Sequence, residues 1–83
     1  MSALEDLADA LAKDVLEAER KLKIDRLSED IAKIIAESST TLEENFMTYV
    51  RVRRAEVRGR KFLAERVKSA IEEHKAAQQK ADK

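Results

Sequence analysis

Few side chains in this chain are suited to covalent chemistry. His74 is the single histidine, and cysteine is absent. A serine or threonine nucleophile needs a base close enough to take its proton. Nothing in the spacing pairs a hydroxyl with His74. A di-metal helical bundle uses Glu-x-x-His, and the residue three before His74 is Ile71. Glu43-Glu44 and Glu72-Glu73 are adjacent acids, and neighbours on a helix point to different faces. They read as surface charge. His74, near a helix C-terminus, suits the helix dipole or the end of a seam. A single glycine, Gly59, leaves no glycine-rich phosphate loop. The expectation is a protein that is not an enzyme, with no cofactor and no metal.

Binding chemistry is better represented. Tyr49 to Lys61 reads YVRVRRAEVRGRK, with six basic residues and one acid. Valine and arginine alternate over Val50–Arg53, but four residues make a strand with no pairing partner. On a helix, Leu42, Phe46, Val50, Val57, Ala64, Val67 and Ile71 share one face. Arg53 and Arg60 fall within that seam. A charge there needs a carboxylate, or a stem long enough to snorkel out. Polar seam residues set register and partner choice. Both arginines are therefore assigned to helix–helix pairing against acids of the first half. Arg51, Arg54 and Arg58 fall on the outward face, flanked by Lys61. Arginines at such spacing reach successive phosphates, giving salt-sensitive contact that reads no sequence. These four are the candidate nucleic-acid residues, for DNA or RNA. Phe62, near the same side, would stack on a base or fill a partner's pocket. The other reading of the patch is a solvated face, diluted by Glu56 and Glu65.

The elements that position these residues are helices. Proline is absent, Gly59 is the lone flexible residue, and aromatics are limited to Phe46, Tyr49 and Phe62. Such a chain favours long helices over sheet. Ser2-Ala-Leu-Glu5 is a capping box. Leu4, Ala8, Leu11, Val15, Ala18 and Leu22 follow at alternating four and three, a heptad seam. Ile24, Leu27, Ile31, Ile34 and Ile35 then lie nearly opposite. Either the helix breaks near Lys23–Asp25, with Asp25 or Ser28 as cap, or one helix shows two apolar faces. The lack of glycine or proline favours continuity or a mild kink. Ser38–Thr41 is the clear boundary. Thr41 with Glu44, or Thr40 with Glu43, would cap the next helix. The expected layout is one helical domain over 1–83: a helix at about 3–37, a turn at 38–41, a helix at about 41–78 and a frayed tail at 79–83. Paired antiparallel, the basic stretch faces Glu17, Glu19 and Asp25.

With 83 residues there is one domain, and its own core would be thin. Self-association is the common remedy. Residues 1–50 carry twelve acids and six bases, and residues 51–83 carry five acids and eleven bases. That asymmetry implies a basic binding surface, or halves that pair with each other or with a second copy. No apolar run approaches the ~20 residues of a membrane span, and the first ten residues are acidic where a signal peptide is basic. Absence of cysteine suits a reducing compartment, and the expected location is cytoplasmic.

Asp30 to Val50 reads DIAKIIAESSTTLEENFMTYV. It resembles the helix-turn-helix of small bacterial and phage repressors over about 21 of 83 residues. Ile31-Ala32, Ile34 and Ile35 match its first helix, and Ser38 to Thr41 matches the start of its recognition helix. The resemblance implies a transcriptional regulator using residues 30–50, with Asn45 and Thr48 placed to read bases. Ala36 stands where the turn glycine belongs, Glu37 where an apolar residue belongs, and Glu43 and Glu44 would face phosphates.

Together these readings give an all-α protein: an antiparallel helical hairpin, or three helices if broken near 22–28, completing its core as a dimeric or higher bundle. Its oligomer seam is Leu4, Leu11, Val15, Ile31, Phe46, Val50, Arg53, Val57, Arg60, Val67 and Ile71. Its partners are a second copy, DNA or RNA, or another helical protein. The leading function is nucleic-acid binding through Arg51, Arg54, Arg58 and Lys61. The alternative is an adaptor that binds only protein.

Overall fold

The computed structural model describes residues 2–81, which are helical almost throughout. Helix α1 spans Ala3–Leu22, α2 spans Leu27–Ser38 and α3 spans Thr40–Ala81. Ser2 opens α1 by accepting the Glu5 N–H at 3.2 Å. Glu5 and Asp6 in its first turn, and Arg20 and Lys21 in its last, suit the helix dipole.

The chain breaks after Leu22 rather than continuing into α2. Lys23 (φ 54°) and Arg26 (φ 60°) both adopt the left-handed conformation, unusual without glycine. The two cost about 2–4 kcal/mol together. The reversal turns part of the opposed apolar set inward: Leu27, Ile31 and Ile35 are half-buried beside the buried Ala32, while Ile24 and Ile34 stay exposed. That burial returns a similar amount, at about 1.5–3 kcal/mol per fully buried aliphatic side chain. Hydrogen bonds from Ser28 to Glu19 and from Arg54 to Ser28 favour the break further.

Ser39 makes the second reversal alone. It is extended (φ −157°, ψ 108°), and its N–H closes α2 by donating to Ile35 O at 2.8 Å. Its Oγ accepts the Leu42 N–H at 3.1 Å, capping α3. The cap is thus Ser39, not Thr40 or Thr41. Helix α2 runs antiparallel to α3 as a hairpin, and α1 lies along both, parallel to α3. Arg53 therefore reaches Asp9, and only Arg54 meets the far end of α1.

The core is small and lies within one chain. Ala12, Val15, Ala32, Phe46 and Val50 form it, with Ala8 also buried. The alanines let α1 approach closely, and Phe46 and Val50 fill the space between α1 and α2. Leu11, Val15, Ile31, Phe46 and Val50, assigned to an oligomer seam, thus pack intramolecularly, and Leu4 is half-buried. Leu22, at the end of the first seam, is exposed.

Beyond Arg54 the picture changes. Every residue from Ala55 to Lys80 is exposed. At 42 residues α3 is about 63 Å long, close to the 69 Å long axis of the molecule. Its second half leaves the three-helix head as a lone arm. The arm stays helical through Ala81, where fraying was expected; Asp82 and Lys83 lie outside the described residues.

Candidate interaction surfaces

The basic stretch divides three ways. Arg53 Nε donates to Asp9 Oδ1 at 2.8 Å, joining α3 to α1. This hydrogen bond raises the Arg53 pKa, against partial burial that lowers it. Arg60 makes no such cross-helix pair. It lies on the arm and meets Glu56, one turn back, at 3.4 Å. Arg51, Arg58 and Lys61 are exposed, and among the described residues they form no ion pair.

Arg54 departs most from its expected place. It does not face outward. Its Nη2 donates to Ser28 Oγ at 2.6 Å and lies 3.4 Å from Glu19 Oε1, while Nη1 lies 3.6 Å from Glu29 Oε1. Ser28 is fully buried. Its backbone N–H and its hydroxyl both donate to Glu19 Oε2 at 2.7 Å. The N-cap residue Arg26 offers α2 no side-chain acceptor. Glu19, reaching from α1, supplies one to the first turn of α2. A carboxylate there also suits the positive end of the helix. Burial pushes the Glu19 carboxyl up, but the two Ser28 donors and Arg54 outweigh it and hold it below the usual range. Glu29 is likewise held low, first by its own backbone amide and then, against desolvation, by Arg54. The sequence marked Ser28 only as a capping candidate, and no signal pointed to Glu19 as its acceptor.

The corner also shapes an open groove of about 690 Å³ between the α1–α2 turn and the root of the arm. Lys13, Arg20, Lys23, Arg26 and Arg58 line it, and among the described residues they form no ion pair. Of its acids, Glu17 binds Lys21, Glu19 and Glu29 bind Arg54, and Glu56 binds Arg60, leaving Asp25. Arg58 therefore has basic neighbours drawn from 32 or more residues away in sequence.

The arm carries a run of exposed apolar residues, whereas Leu7, Leu22, Ile24, Ile34 and Val52 are exposed singly elsewhere. Val57, Phe62, Leu63, Val67 and Ile71 are 46–69% exposed. Val57, Leu63, Ala64, Val67 and Ile71 make one stripe with Arg60 inside it, and Phe62 lies apart. A shallow groove runs along Ala64, Val67 and Ile71. Val57, Arg60, Val67 and Ile71 are the part of the expected oligomer seam that the head does not cover.

Other candidate residues are spent locally. Asn45 donates to Thr41 O and Thr48 to Glu44 O, each at 2.9 Å, so both bond their own helix. The one-residue link at Ser39 is shorter than the usual 3–4-residue turn of a helix-turn-helix, and Phe46 and Val50 bury this part of α3 in the head. His74 is exposed, and among the described residues no three metal-ligating side chains converge. No described helix is long and apolar enough to cross a membrane. Compared with protein-family models, curated proteins and solved structures, the chain shows no match.

Proposed function

We propose that the protein is a helical adaptor: the head is a self-contained mount, and the arm docks against a helix of another polypeptide. The observation that carries this reading is the unpaired stripe of Val57, Leu63, Val67 and Ile71 on a lone helix. Most helical stability in proteins comes from packing an apolar face rather than from propensity. A 26-residue helical stretch that packs against none of the described residues is therefore suited to packing elsewhere. The test is amide hydrogen exchange over residues 57–74, in purified protein and in an extract of its source cells. Protection that disappears in a Val67→Asp/Ile71→Asp variant is expected. Rapid exchange in both settings, or protection that the variant keeps, would overturn the reading.

A second reading is nucleic-acid binding, favoured by the groove that adds Lys13, Arg20, Lys23 and Arg26 to Arg58. Arg51 and Lys61 extend that surface onto α3. Arg54 is no longer part of it, which lowers the phosphate contacts available from α3 alone. Binding of duplex DNA or RNA should then weaken steeply with salt. An Arg51→Ala/Arg58→Ala/Lys61→Ala variant should lose it while keeping the head folded. No binding at low salt rejects this reading.

A further inference from the structure

We propose that the arm's occupant is a second copy of the same chain, packed antiparallel along residues 57–74. This rests on the reading that the arm docks on a helix. It adds the partner, the direction and the register.

Surface area points to a partner of this size. The chain exposes 6731 Å², whereas a folded monomer of 9.4 kDa exposes about 5,000 Å². The excess is about 1,700 Å². A standard interface removes about 800 Å² from each partner. One arm-to-arm contact therefore fits well within the excess of each chain.

Charge sets the direction. Residues 2–54 hold twelve acids and nine bases, a net −3, and residues 55–81 hold four acids and seven bases, a net +3. Parallel arms would bring two acidic heads side by side. They would also stack Arg60 on Arg60 and His74 on His74 in the seam. Antiparallel arms send the heads to opposite ends and carry Lys75 and Lys80 of each arm toward the other head.

The flanks of the stripe agree. One flank holds Leu63, Ala70 and Ala77, and the other holds Lys61, Lys68 and Lys75. In a parallel pair opposite flanks meet, so Leu63 would face a lysine. In an antiparallel pair like flanks meet, so Leu63 faces Ala70. On the other flank, Lys61 and Lys68 each have a glutamate four residues on, Glu65 and Glu72, to offset their repulsion.

The register follows from the seam. Setting Ala64 against Val67 of the second copy puts Val57 against His74 and Arg60 against Ile71. The Arg60 stem then covers Ile71 while its guanidinium stays with Glu56 at the rim.

The absence of cysteine allows a clean test. A Lys80→Cys variant carries one spin label per chain, and its mass is measured by sedimentation. The expected result is twice 9.4 kDa and a label-to-label distance of about 44 Å, since residue 80 lies level with residue 51 of the other copy. Val67→Asp should return the mass to one chain while the Tyr49 fluorescence of the head stays native. A dimer with labels closer than about 20 Å would overturn the antiparallel arrangement, because parallel arms keep both labels at one end. A single-chain mass at every concentration would overturn the second copy altogether. In that case, arm protection restricted to the cell extract leaves the adaptor reading standing, and no protection anywhere removes both.

Discussion

Glu19, Ser28 and Arg54 tie the three helices of the head together, and changes at Arg54 and Glu19 test that tie. Arg54→Ala leaves Glu19 and a buried Ser28 short of a charged partner and should cost about 1–3 kcal/mol. Arg51→Ala, three residues away and exposed, should stay within about 0.5 kcal/mol. Denaturant titration read by Tyr49, the single tyrosine, separates the two. Acid should act through the same corner. Glu19 and Glu29 titrate below the ordinary value of 4.5 in the folded chain, so the unfolded chain takes up protons first as pH falls. Their contribution is complete above that value and is lost as pH drops through the folded values. Glu19→Gln should lower stability at neutral pH and flatten the acid limb of a stability–pH curve. The inward place of Arg53 was legible from the seam of α3. That of Arg54 was not. A helical wheel treats α3 as having one packed face, but α2 folds back to give it a second, and Arg54 points there.

At the scale of elements, caps and composition announced helices, and Ser2 capped α1 as its sequence suggested. The break at 23–26 was one of two readings the sequence allowed, and it was not favoured because no glycine or proline marks it. Its left-handed residues are Lys23 and Arg26, and its cap comes from nine residues back in another helix. The opposed apolar faces were visible, but they fit a continuous helix with two partners equally well. Lys23→Gly should relieve the left-handed cost and stabilise the head by about 1 kcal/mol, read as a rise in the denaturation midpoint. Gly59 lies in the exposed arm, is helical, and an added Cβ there would meet nothing within 4 Å. Gly59→Ala should therefore favour the arm's helix by about 1 kcal/mol, seen as slower amide exchange over residues 55–63.

The whole molecule is a small head on a long strut, and its two parts should separate. A chain ended after Glu56 keeps every core residue and both cross-helix arginines. It should retain native Tyr49 fluorescence and unfold cooperatively; loss of both would show that the arm stabilises the head. The sequence by itself determined the helical class, the boundary at Ser38–Thr41 and the surplus of base in the second half. Those are local properties, set by propensity, hydroxyl caps and charge count. Only the tertiary structure decided that α2 doubles back, that the first apolar faces close on one another within one chain, and which arginines remain free. Each of those depends on what lies opposite a face, and periodicity reports a face without naming its partner.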